Sequence, residues 1–251
     1  AVLEGKTYTA TLNQGHVIAP EGGRIEADGT VFQISDITER PMLARIELVS
    51  SSSLTATLSL LDQEPFSFFS KAGQPYNLGD GRAELRSTLL MPIKPKISLE
   101  EVEFNVEGRI VDFTSPSLVA GRLLTSNEVE VLVNTEGLTL SGVGKLDEMP
   151  LDLTYLQGFG PEQKGKARIN GTVILSDPIL RDFGVELPEG SVSGEGPAAI
   201  DVALVKDLPP QLTLTSTLAG LGLRLDALGW KKAAKTKGSL DLEARLDREP
   251  V

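Results

Sequence analysis

Short stretches in which apolar and polar residues take turns recur along this chain. Val102-Glu103-Phe104-Asn105-Val106, Val129-Glu130-Val131-Leu132-Val133, Leu138-Thr139-Leu140 and Leu151-Asp152-Leu153-Thr154-Tyr155 follow the pattern. Ile200-Asp201-Val202-Ala203-Leu204, Gln211-Leu212-Thr213-Leu214-Thr215, Leu221-Gly222-Leu223-Arg224-Leu225 and Leu240-Asp241-Leu242-Glu243-Ala244 continue it. Successive side chains of a strand point to opposite faces, so a period of two predicts sheets with one apolar and one wet face. An apolar face of this extent needs cover, and what covers it is the functional question.

Toward the N-terminus the pattern predicts short strands near Thr7–Leu12, Val17–Ile18, Arg24–Ala27 and Thr30–Ile34. Gly15, Gly22-Gly23 and Asp28-Gly29 supply turns, the last with the signature of a tight hairpin. Ala44–Val49 and Leu54–Leu60 read as further strands, the second with small polar residues between leucines. The alternation stops at Asp62-Gln63-Glu64-Pro65-Phe66-Ser67-Phe68-Phe69-Ser70-Lys71-Ala72-Gly73. An acidic start, an early proline and a closing glycine predict a short helix near residues 62–72, with Phe66, Phe69 and Phe68 on its buried side. Ala83–Leu89 returns to strand, and a second helical break falls at Asp177-Pro178-Ile179-Leu180-Arg181-Asp182-Phe183-Gly184. A strand-rich stretch, a proline-initiated helix and more strands thus occur twice, the outline of a degenerate internal repeat.

The fold class expected from this reading is all-β with two short helices. Met91-Pro92-Ile93-Lys94-Pro95-Lys96 marks a segment boundary, because prolines cannot donate to a ladder. Residues 1–95 form an N-terminal β segment with the helix near 62–72. Residues 96–251 form a β-meander with the helix near 177–184. Both belong to one continuous elongated fold.

Composition narrows the chemistry. Hydrophobic residues make up 40% of the 251 positions but aromatic ones only 5%, so the apolar face is aliphatic. The net charge of −11 argues against nucleic acid, whose phosphates demand clustered Lys and Arg, and against docking on an anionic bilayer by charge. With no cysteine there is neither disulfide nor thiolate chemistry. No run approaches the ~18 apolar residues that a membrane-spanning helix needs. The opening Ala1-Val2-Leu3-Glu4-Gly5 carries no signal-peptide pattern and reads as an excerpt from a longer protein.

Catalytic sets are hard to assemble. The single histidine, His16, sits in an expected turn beside Gly15. Gly190-Ser191-Val192-Ser193-Gly194 places valine where a nucleophile elbow needs serine. Gly142-Val143-Gly144, Gly158-Phe159-Gly160 and Gly220-Leu221-Gly222 lack the third glycine of a phosphate-binding turn. Glu100-Glu101 reads as a solvated pair, and Asn170-Gly171-Thr172 as a chance glycosylation match. No enzymatic activity, metal or cofactor is expected.

Three groups of segments carry a resemblance. The first joins Leu60-Leu61-Asp62-Gln63-Glu64-Pro65 to Ser70-Lys71-Ala72-Gly73 and Gly81-Arg82-Ala83-Glu84. The second runs from Leu138-Thr139-Leu140-Ser141-Gly142-Val143-Gly144-Lys145 into Met149-Pro150-Leu151-Asp152-Leu153-Thr154-Tyr155. In the third, Leu212-Thr213-Leu214-Thr215-Ser216-Thr217-Leu218-Ala219-Gly220-Leu221 precedes Leu228-Gly229-Trp230-Lys231-Lys232. In this order they resemble the AsmA-like superfamily of Gram-negative envelope proteins, in its YhdP/TamB-type branch. Asp226-Ala227-Leu228-Gly229-Trp230 departs from the proline-rich turn common in that family.

The resemblance implies a long, twisted antiparallel sheet curved into an apolar groove, in a periplasmic protein anchored in the inner membrane by parts outside this chain. It also implies phospholipid acyl chains as the groove's occupants, moving between inner and outer membranes in outer-membrane biogenesis. The expected lining is Val102, Phe104, Val106, Val129, Val131, Val133, Leu138, Leu140, Leu151, Leu153 and Tyr155, continued by Ile200, Val202, Leu204, Leu212, Leu214, Leu221, Leu223 and Leu225. Two alternatives stand beside it. The same residues could close on one another as a β-sandwich core, and the chain could be a non-enzymatic scaffold or assembly factor that binds other envelope proteins by strand addition.

Overall fold

A computed structural model describes residues 1–64, 67–72, 75–185 and 187–246. Six strands come first: β1 (Val2–Glu4), β2 (Thr7–Leu12), β3 (His16–Ile18), β4 (Arg24–Glu26), β5 (Thr30–Ile34) and β6 (Leu43–Ser53). Helices α1 (Leu54–Leu61) and α2 (Phe68–Ala72) precede β7 (Asp80–Pro92), β8 (Glu103–Val119), β9 (Arg122–Asn134), β10 (Gly137–Leu146), β11 (Met149–Gly158) and β12 (Lys166–Ser176). Helix α3 (Asp177–Asp182) leads to β13 (Val192–Val205), β14 (Gln211–Ser216), β15 (Leu221–Leu225), β16 (Trp230–Lys232) and β17 (Leu240–Arg245).

Every strand pairing is antiparallel. The main ladder runs β1–β2–β5–β6–β7 and from there in sequence order through β14, with β17 on its far side. Two small branches leave it: β3–β4 joins at β6, and β15–β16 joins the first residues of β13. The result is one open, curved sheet that does not close. The β-sandwich alternative is therefore set aside, because no second sheet faces the apolar side along its length. In the proline-rich segment at 91–96, Met91 and Pro92 end β7 opposite Ala44 and Leu43, and the residues after them lead over the sheet's rim toward β8. On either side of this connection β7 and β8 pair from Leu90↔Glu103 to Asp80↔Thr114, and a Lys94–Glu101 ion pair with Ser98 behind it staples the loop.

Three local expectations need correction. Leu54–Leu60 is not a strand but lies in α1. Leu54 and Leu58 are one helical turn apart, and the Ser53 hydroxyl caps the helix by accepting from the Ala56 amide at 3.1 Å. Alternation and helical spacing coincide in so short a leucine pattern, and the cap decides between them. The described residues thus hold three α-helices rather than two. Of the helix expected near 62–72, only Phe68–Ala72 is helical; Pro65, Phe66 and Gly73 lie outside the described residues. Phe68 is 49% exposed rather than buried. Asp28-Gly29 does not close a hairpin either: β4 pairs with β3 and β6, while β5 pairs with β2 and β6.

Curvature has a visible source in glycine. Gly108 on β8 and Gly171 on β12 sit at φ 157° and 152°, and a Cβ there would come within 2.1 Å of the Glu84 carbonyl oxygen and 2.0 Å of the Asp152 carbonyl oxygen. Only a residue without a side chain lets the neighbouring strand approach so closely, and such kinks bend a sheet. Gly108→Ala and Gly171→Ala should each lower stability by about 2–3 kcal/mol in urea unfolding, from backbone strain and displaced strands. Gly160→Ala, at a turn with open space around it, should change stability by less than about 0.5 kcal/mol. Equal, small effects at all three positions would contradict this origin of the bend.

Candidate functional site

Because side chains alternate and the ladders stay in register, positions opposite one another form rows across the sheet. One row reads Ser50, Leu85, Gly108, Val131, Leu140, Tyr155, Ile169, Val202, Leu212 and Ala244. The neighbouring row on the same face reads Ser52, Ala83, Ile110, Val129, Gly142, Leu153, Gly171, Ile200, Leu214 and Leu242. Neither row contains a charged residue. At about 4.8 Å per strand, each spans roughly 43 Å.

The opposite face is polar and ion-paired. Arg109 on β8 bridges Glu84 at 2.9 Å and Glu128 at 3.2 Å, and Arg168 on β12 meets Asp201 at 2.7 Å. The Arg109 guanidinium holds the Glu84 carboxyl below its ordinary range. These pairs are exposed and add little to stability, but they keep that face wet. Two depressions of about 590 Å³ each also open on it, one among Thr7, Thr9, Thr11 and Gln33 and the other among Glu84, Arg86, Glu107 and Arg109. Their polar walls suit water.

One rim of the strip is sealed. Helix α1 leaves the end of β6 and lays Leu54 and Leu58 against Ile110, Phe113 and Val131. Two serines tie it down. Ser53 donates to the Gly22 carbonyl at 2.8 Å and Ser59 to the Glu21 carbonyl at 2.9 Å, both in the β3–β4 loop. Helix α3 leaves the end of β12 at the same rim and packs Ile179 against Leu151, Val173, Ala198 and Leu221. Arg122 clamps it, donating to Asp147 at 2.9 Å and to the Asp182 carbonyl at 2.5 Å, with its guanidinium 4.5 Å over the Phe183 ring. The opposite rim carries no such covering element among the described residues.

The expected lining residues divide accordingly. Phe104, Val106, Val129, Val133, Leu138, Leu140, Leu153, Tyr155, Ile200, Leu204, Leu212 and Leu214 lie half-buried on the apolar face, with Val102 just ahead of β8. Val131, Leu151 and Val202 share the face but are buried, Val131 at 7% exposure beneath α1. Leu221, Leu223 and Leu225 do not continue the strip. They belong to β15, which folds back on the start of β13, and Leu221 is 1% exposed within the core around α3. Alternation told their face but not which ladder they join. Several members were missed: Leu85, Leu89 and Ile46 on the N-terminal strands, and Ile110 and Ile169 beside the glycines. The spacing Ile169-x-Gly171-x-Val173-x-Leu175 carried the signal for β12, interrupted by the glycine that bends it.

Chemistry elsewhere is sparse. His16 lies in β3 rather than a turn, and its Nδ1 accepts from Arg24 at 2.8 Å. Among the described residues no three His, Asp or Glu side chains gather to hold a metal, and no helix is long and apolar enough to cross a membrane. On the apolar face itself the Tyr155 hydroxyl donates to Gln157 Oε1 at 2.9 Å. Burial pushes the Tyr155 phenol above its ordinary value of 10.0.

Compared with known proteins, the chain matches no family model, no curated protein and no solved structure.

With its folded-state pKa above the unfolded one, Tyr155 supports stability below about pH 10 and loses that support as pH rises further. Tyr155→Phe should be less stable at neutral pH by about 1 kcal/mol for the lost hydrogen bond. Its stability should nevertheless fall less than the parent's between about pH 9 and 11 in chemical denaturation. An identical alkaline decline in both proteins would mean the phenol is solvated.

Proposed function

We propose that the apolar face is a surface for phospholipid acyl chains, and that the chain is a conduit segment of a periplasmic AsmA-like protein carrying lipid between inner and outer membranes. The carrying observation is the pair of uncharged rows crossing ten paired strands, mostly half-buried yet uncovered along one rim among the described residues. Exposed apolar patches of this continuity mark interaction sites in soluble proteins. Moving a lipid through water costs ~0.8 kcal/mol for each methylene exposed. A strip of Val, Leu and Ile offsets much of that cost at every point along its length, and aliphatic side chains offer little directional chemistry to arrest a sliding chain. The resemblance read from the sequence supports the same occupant.

A second reading rests on a different feature. Among the described residues β17 pairs only with β14, so its outer edge is free, and Leu242 on it is 44% exposed. An envelope protein could add a strand there, in the manner of a scaffold.

Photo-crosslinking residues placed one at a time in a Gram-negative host separate the two. At Val133, Leu140 and Leu212 they should yield lipid adducts in mass spectra. At Glu130 and at Leu132, which is 52% exposed on the polar face, they should not. Val131 is a poor probe because α1 covers it. Labelling as strong at Leu132 as at Val133, or protein adducts near β17 with no lipid anywhere, would overturn the lipid reading.

A further inference from the structure

The two rims of the apolar strip differ, and the difference assigns a direction to its occupant. At the sealed rim α1, α3 and the loop between β14 and β15 pack Leu54, Leu58, Ile179, Leu180 and Leu218 into the apolar clusters, and the Thr57 hydroxyl of α1 is hydrogen-bonded to Ser52 of the strip at 2.7 Å. At the open rim the row reads Val106, Val133, Leu138, Gln157. Gln157 is the half-buried polar residue of this row, whereas Ser87, opposite Val106 on β7, is buried. The Gln157 Oε1 is occupied by the Tyr155 hydroxyl at 2.9 Å. That bond fixes the amide and leaves both Nε2 hydrogens without a partner among the described residues.

From these observations, and resting on the lipid reading above, we infer that phospholipid lies across the strip along the strands. Its chain ends point to α1 and α3, its glycerol and phosphate oxygens accept hydrogen bonds from Gln157 at the open rim, and Tyr155 acts as the residue that positions that amide. Length supports the arrangement. From Gln157 to Leu151, where α3 covers the face, six residues of extended strand span about 20 Å. One leaflet of a bilayer's hydrocarbon core is about 15 Å thick, so a single acyl chain fits that width. Charge supports it as well. Beyond Gln157 the turn into β12 presents exposed Lys164 and Lys166, and the Lys206 amide donates to the Gly165 carbonyl at 2.7 Å, bringing a third lysine alongside. Glu162 and Asp207 share this rim, which is thereby nearly neutral in a chain of net charge −11 and does not repel a phosphate.

Two photoactivatable phosphatidylglycerols, one with its diazirine at the chain terminus and one with it next to the glycerol, test the orientation on the purified chain. The terminal probe should label peptides of α1, α3 and Phe113. The glycerol-proximal probe should label the 156–166 turn and the β9–β10 turn. Gln157→Leu should reduce labelling by the glycerol-proximal probe at the 156–166 turn about threefold, the loss expected for one hydrogen bond. Tyr155→Phe should do the same, and Thr154→Val on the polar face should not. Labelling of the apolar face that is equal for both probes, reversed between the rims, or unchanged in Gln157→Leu would overturn the orientation and leave the lipid reading standing. No labelling of the apolar face by either probe would sink both.

Discussion

Everything on the functional face depends on antiparallel register held without slippage across successive strands. Side-chain direction alternates with a period of two, so a slip of one residue at any ladder would turn the rest of the strip to the wet side. The structure guards against this by sequence on both faces. Valines and leucines meet across strands on one side, and Arg109 and Arg168 meet carboxylates on the other. A registry error would place charges against leucines in both directions at once. The surface ion pairs are weak as sources of stability, yet they are well placed to penalise misalignment.

A sheet that succeeds in aligning so much apolar surface then has to avoid closing on it. Curvature from Gly108 and Gly171 shapes the face without bringing a second sheet over it. Coverage is restricted to one rim, where two short helices leave the ends of β6 and β12, each preceded by a serine at its N-cap. Ser53 and Ser59 hold α1 through backbone carbonyls of the β3–β4 loop, and Arg122 of β9 holds α3 through the helix's own last carbonyl, that of Asp182. These polar contacts join parts of the chain distant in sequence, so the helices act as fixed stoppers at that rim. A trough with one closed and one open side is the arrangement an amphiphile would fit, with apolar chains inward and polar groups at the water.

Much of this was legible in the alternating segments. Val129, Val131 and Val133 with Leu138 and Leu140 predict adjacent strands sharing a face, because two short runs joined by a tight turn leave few other options. Leu151, Leu153 and Tyr155 extend it by the same logic, and α3 was marked by Asp177 and Pro178. The N-terminal half was less readable for physical reasons. Leu54–Leu61 satisfies alternation and helical spacing together, and only the capping serine distinguishes them. Gly171 removes the side chain that would have completed the β12 pattern. Leu221, Leu223 and Leu225 alternate cleanly but pair with the beginning of β13, since periodicity reports a strand's faces and not its partner. The open, curved sheet was expected from the resemblance, while alternation alone left a closed sandwich beside it. Whether half-buried rows meet a second sheet depends on long-range topology, which no single segment encodes.

The central claim is that the open apolar strip receives acyl chains, and the most direct measurement is the lipid content of the protein itself. Native mass spectrometry of the chain purified from a Gram-negative periplasm, with organic extraction of the same sample, should find phospholipid bound. A Leu140→Asp variant that places a carboxylate in the middle of the strip should be free of it. Parent protein that is folded, devoid of lipid and unable to take lipid up from vesicles would contradict the account.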